Sequence, residues 1–121
     1  MIDRVNMKTV TVSILKSIPE LKKIAADYPS TWNAFPIAIY RTSTVPHFVD
    51  AEGSELQTKW NVTIELFSNN SLTDIANSLL DKFSDIGFTG TQKDANTADL
   101  KRVIIDLSAV VDNKTKYVYT K

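Results

Sequence analysis

The most regular part of the chain alternates. Leu56, Trp60, Val62, Ile64 and Leu66 fall on one side, and Gln57, Lys59, Asn61, Thr63 and Glu65 on the other. A period of two is the mark of a strand with one face in a core and the other in solvent or against a partner. A second alternating run, Lys101 to Val111, sets Val103, Ile105, Leu107, Ala109 and Val111 on its core side. Between the two runs the period changes. Leu72, Ile75, Ala76, Leu79, Leu80, Phe83 and Ile86 recur every three or four residues, which predicts an amphipathic helix lying across the sheet. Ser71 is its expected N-cap, Asp74 favours the first turn electrostatically, and Gly87 stops it.

The remaining segments carry weaker signals. Residues 7–25 read as mostly helical, with Val10, Ile14, Ile18 and Leu21 on one stripe. Pro19 must break that ladder, and Ser17 with Glu20 has capping-box spacing, so a kink near Ser17 and a second short helix from Pro19 to Ala25 are expected. Residues 26–36 form a connection whose Trp32 and Phe35 close one end of the core. Pro36 opens a strand from Ile37 to Val45, and Pro46 ends it, leaving residues 46–54 as a long hairpin loop. Phe88 to Lys93 reads as a short strand, Asp94 to Asp99 as a polar mobile loop, Asp112-Asn113-Lys114 as a turn, and Lys116 to Thr120 as a last strand bearing Tyr117 and Tyr119. The order helix, strand, strand, helix, strand, strand, strand predicts an α+β fold. It is a mostly antiparallel β-sheet with two main helices packed on one face, in a single domain over residues 1–121.

Composition narrows the function classes. Fourteen Lys and Arg balance 14 Asp and Glu, so the excess positive charge on which general nucleic-acid or anionic-lipid binding rests is missing. Without Cys there are no disulfides, thiolate zinc sites or Cys nucleophiles. The N-terminal residues show no apolar signal segment, and no run approaches the roughly 18 apolar residues of a membrane span. An intracellular site of synthesis is therefore expected. His47 lies near Asp50, Glu52 and Glu55, but one imidazole among loop carboxylates is a surface loop rather than a metal or acid–base centre. No nucleophile elbow or glycine-rich phosphate loop occurs, and Asp74, Asp81 and Asp85 read as a solvated helix face. No enzyme activity and no cofactor is expected. Phe48 and Val49 stand apart as apolar residues near a loop tip. Either they contact another protein or their loop folds back on the sheet.

The pattern of the whole chain resembles the tail terminator, or tail completion, proteins of long-tailed bacteriophages and prophages. The matching features begin with the N-terminal helix and the aromatic–proline lead-in Asn33-Ala34-Phe35-Pro36-Ile37-Ala38-Ile39-Tyr40. They continue with the alternating strand Trp60 to Phe67, the helix Leu72 to Ile86 followed at once by Gly87-Phe88, a polar Asp-containing loop, and the strand Lys101 to Leu107. The likeness covers roughly residues 10–112 and is one of order and pattern. It implies a structural protein that closes into a hexameric ring at the head-proximal end of a tail tube, located in the virion tail and in the host cytoplasm before assembly. Its implied partners are copies of itself, the major tail tube protein and a head-completion or connector protein. DNA would pass through transiently and without specificity, and no membrane is involved. In that setting Pro46 to Ser54, with His47, Phe48, Val49, Asp50 and Glu52, becomes one contact segment, and the segment with Asn96 and Asp99 a second. Two other readings stand beside it. One is a neighbouring head-completion, neck or minor tail protein; the other is a small ligand-binding domain with a pocket beneath Trp32 and Phe35.

Overall fold

The two alternating runs become the centre of a six-stranded sheet. A computed structural model describes residues 5–30, 34–116 and 118–119. Its elements are α1 (Met7–Lys16), β1 (Lys23–Ala25), β2 (Ile37–Val49), β3 (Glu55–Ser68), α2 (Thr73–Asp85), β4 (Thr89–Asp94), β5 (Lys101–Asp112) and β6 (Val118–Tyr119). The sheet runs β1-β2-β3-β5-β4, and β6 also pairs with β5. Among the described residues only the β1–β2 pairing is parallel. The fold class is thus the α+β arrangement expected from the order of elements.

Both helices lie on one face. Ala38, Val62, Ile64, Leu66, Ile105 and Leu107 from the sheet form one buried cluster with Leu15 of α1 and Ile75, Leu79 and Phe83 of α2. Fully burying each large apolar side chain contributes about 1.5–3 kcal/mol. Asn6 caps α1 by accepting the Lys8 N–H at 3.0 Å. The buried stripe of α1 is Met7, Thr11 and Leu15 rather than the expected Val10 and Ile14, which are half-buried. Thr11 tolerates burial because its hydroxyl donates to the Met7 carbonyl at 2.8 Å.

α2 ends in a Schellman turn. Phe88 N–H donates to the Phe83 carbonyl at 2.9 Å, Gly87 N–H donates to the Ser84 carbonyl at 3.0 Å, and Gly87 has φ +95°. The Phe83 and Phe88 rings meet edge to face at 5.7 Å, which closes the turn hydrophobically. At the other end Leu72, not Ser71, occupies the cap position. Leu72 is anchored in the core, and Ser71 Oγ only approaches the Thr73 N–H at 3.4 Å.

Three expected boundaries change. The second short helix is absent. Ile18 precedes a proline and is steered away from helical backbone, and Lys23–Ala25 instead pairs with Ile37–Ile39 as β1. β2 does not stop at Pro46 but continues to Val49, so the connection to β3 is only residues 50–54. A missing N–H is tolerable on an edge strand, and the register shifts between Pro46 and Phe48 and between Phe48 and Val49 absorb the misfit. Phe35 packs on Ile37, Ile39 and Phe67, on the opposite face of the sheet from the helices. Trp32 and Tyr117 lie outside the described residues.

Asn113 ties distant parts together. It is fully buried; its Nδ2 donates to the Glu55 carbonyl at 3.1 Å and to Thr58 Oγ1 at 2.9 Å, while its Oδ1 accepts the Val5 N–H at 3.0 Å.

Candidate functional site

The expected contact residues separate into two groups at opposite ends of one ladder. β3 and β5 pair from Gln57↔Asp112 to Ser68↔Lys101, a span of roughly 35 Å at the ordinary strand rise. His47, Phe48, Val49, Asp50 and Glu52 sit at the Gln57 end. Asn96 and Asp99 sit in the β4–β5 connection at the Lys101 end. The structure does not bring the two groups together.

At the first end the strand is apolar and open. Val45, Phe48 and Val49 are 53%, 54% and 49% exposed. Val45 lies opposite Lys59 and Phe48 opposite Gln57. Residues directly opposed in an antiparallel pair share a face, and Gln57 and Lys59 are two apart, so Val45 and Phe48 share the face away from the helices. Strict alternation would have put them on opposite faces; the extra residue at His47 brings them together. The tip therefore does not fold back on the sheet. Asp50 organises the turn, its Oδ1 accepting the N–H groups of Glu52 at 3.0 Å and Ser54 at 2.9 Å, while Glu52 and His47 are exposed.

The second end is polar and more ordered than its composition predicts. Ala95 N–H donates to the Arg102 carbonyl at 2.8 Å, and Thr97 N–H to the Leu100 carbonyl at 2.9 Å. Asn96 Oδ1 accepts the Arg102 N–H at 3.0 Å. Asp99 is exposed beside an open hollow of about 250 Å³ lined by Asn69, Asn96, Thr97 and Lys101.

Glu65 is the residue that sequence reasoning misplaced. Alternation assigns it to the solvent face, yet it is only 5% exposed. Tyr28 Oη donates to its carboxylate at 2.9 and 3.0 Å, Arg41 Nη1 at 2.6 Å, and Arg102 Nε at 3.0 Å, with a further bond from Arg102 Nη2. Burial pushes the Glu65 pKa up, but hydrogen bonds from Arg102, Tyr28 and Arg41 outweigh it, so the carboxyl stays below its ordinary range. Arg102 also stacks over Phe67 at 5.5 Å, and Arg41 over Tyr28 at 4.9 Å. The segment carrying Tyr28 is thereby strapped across the outer face. Tyr28, Arg41 and Arg102 are the available signal, but their spacing says nothing until register Ile39↔Glu65↔Ile104 brings their strands together.

Among the described residues no group of three or more His, Cys, Asp or Glu is placed to hold a metal ion. No helix among them is long and apolar enough to cross a membrane. The chain matches no protein-family model, and a search of curated proteins gives no match either.

Proposed function

We propose that this protein is a structural assembly component of the tail-terminator type. It caps the head-proximal end of a phage tail tube, ends tube growth and mediates joining to the head, as a hexameric ring in the virion tail. The reading rests on the pattern resemblance. The structural observation that best supports it is the division of contact residues between the two ends of one long antiparallel ladder. A capping protein needs two unlike surfaces along one axis, one for the tube rim and one for a connector. Here one end offers exposed Val45, Phe48 and Val49, and the other a hydrogen-bonded polar loop with Asn96 and Asp99. The apolar end suits the subunit of the tube, where desolvated contact is needed. The polar end suits a head-completion protein. The work is recognition, with no bond made or broken.

The test is electron microscopy of the protein mixed with tubes of the major tail subunit from the same genome. Density only at the head-proximal end is the expected result. The double variant Phe48→Asp, Val49→Asp is expected to fold and to lose capping. Tails of normal length joined to heads with that variant would overturn the assignment of this end.

A further inference from the structure

The outer face of the sheet is covered more deeply at one end. Along the outward row of β3, Lys59, Asn61 and Thr63 are half-buried, but Glu65 and Phe67 are only 5% and 6% exposed. Ile39 and Ile37, opposite them in the register, are fully buried, and Phe35 and Leu100 pack beside this cluster. Tyr28 supplies part of the cover. Its ring meets Phe67 edge to face at 6.2 Å, Arg41 lies over it at 4.9 Å, and its hydroxyl donates to Glu65 at 2.9 and 3.0 Å. These contacts are made with β2 and β3, far from Tyr28 along the chain.

The segment that brings Tyr28 there is lightly held. Residues 26–30 form neither helix nor strand, and all but Pro29 are exposed, Tyr28 itself at 50%. The segment leaves the sheet at the end of β1, a strand of three residues. Segments with exposed backbone and few buried contacts open locally at a fraction of the cost of global unfolding. The bonding at Glu65 keeps that cost low. When Tyr28 lifts, the carboxylate retains Arg41 Nη1 at 2.6 Å, Arg102 Nε at 3.0 Å and the bond from Arg102 Nη2. No buried charge is left unpaired, and water replaces a single donor. The two arginines belong to β2 and β5, so the sheet itself holds them in place.

We propose that residues 26–30 form a strap that lifts from the outer face while the sheet stays folded, with the Tyr28 hydroxyl on Glu65 as its clasp. Closed, the strap hides Phe67, Ile37 and Ile39 near the Lys101 end of the ladder. Lifted, it bares an apolar patch at an end whose surface is otherwise polar. Whatever engages the bared patch shifts the population towards the open form, by as much as it prefers that form. The inference does not rest on the capping reading, and its test is read on the free chain.

The chain has no cysteine, so a single introduced thiol reports one position. Ile39→Cys probes the cluster beneath the strap and Ile105→Cys the helix face; both isoleucines are fully buried. Below the urea transition, the thiol of Ile39→Cys is expected to react with an aromatic disulfide reagent at least about tenfold faster than that of Ile105→Cys. Its urea dependence is expected to be shallower, because lifting the strap exposes less surface than unfolding the sheet. Adding Tyr28→Phe is expected to speed the reaction of Ile39→Cys by about tenfold or more, the worth of one hydrogen bond to a charged group. Equal rates with equal urea slopes in the two variants, or no acceleration by Tyr28→Phe, would overturn the proposal. In a chain whose core is untouched, Tyr28→Ser is expected to keep a cooperative urea transition and to bind an apolar fluorescent dye several-fold more than wild type. Loss of that transition, or unchanged dye binding, would equally overturn it.

Discussion

The two ends of β2 are made from similar side chains and are treated oppositely. Ile37, Ala38 and Ile39 are completely buried, whereas Val45, Phe48 and Val49 are about half exposed. The root has β1 on one edge and β3 on the other, helices below, and the Phe35, Phe67 and Leu100 cluster above. Among the described residues the tip pairs with β3 alone. Hydrophobicity drives both ends equally out of water. What differs is whether chain from elsewhere arrives to cover them, and at the tip no described residue does so.

The largest effect is expected at the root. Ile39→Asp places a carboxylate where nothing can solvate it, and should cost about 4 kcal/mol or more, read as loss of the cooperative transition in urea. Next comes Glu65, which lies opposite Ile39 in the register. Glu65→Gln weakens charge-assisted bonds from both arginines and should lower stability by about 2 kcal/mol at neutral pH. That loss has a definite pH dependence. The folded-state pKa of Glu65 lies below the usual 4.5, so its stabilisation is fully present above the ordinary carboxylate range. It disappears as pH falls through the lowered value, and the gap between wild type and Glu65→Gln should close in acid. A gap that widened in acid would mean that burial, not the arginines, governs the site. The smallest effect is expected at the tip. Phe48→Asp with Val49→Asp should shift stability by no more than about 0.5 kcal/mol, although two large apolar residues are lost. A substantial drop in the urea midpoint would show that the tip is covered by its own chain and erase the contrast between the two ends.

The same contrast separates what was legible from what was not. The helix-covered face could be read residue by residue. The alternation of Val62, Ile64 and Leu66, that of Val103, Ile105 and Leu107, and the stripe from Leu72 to Phe83 all point where periodicity says. Gly87 stops α2 as its position promised. Periodicity reports one buried face per element, so it has nothing to say about Glu65, whose burial depends on Tyr28 being folded across from 37 residues away. Pro46 misled for a related reason. A proline ends a strand only where its N–H is needed, and whether it is needed depends on a neighbouring strand that the local sequence does not name. β1 escaped because three residues make no period, and its partner strand supplies the order. Phe48 and Val49 stood out in the sequence as apolar residues near a loop tip, with contact and fold-back both open, and the structure leaves them about half exposed. Val45 did not stand out, because only the bulge at His47 turns Phe48 to its side.

Asn113 carries a consequence for the newborn chain. The amide of Val5, which leads into α1, finds its acceptor 108 residues further along. While the protein is being translated, that first helix emerges with its seat unmade, and its Met7–Leu15 stripe has no lasting shelter until the second half of the sheet has left the ribosome. The bond that ties the lead-in of α1 to Asn113 can therefore form only once the chain as far as Asn113 has been made.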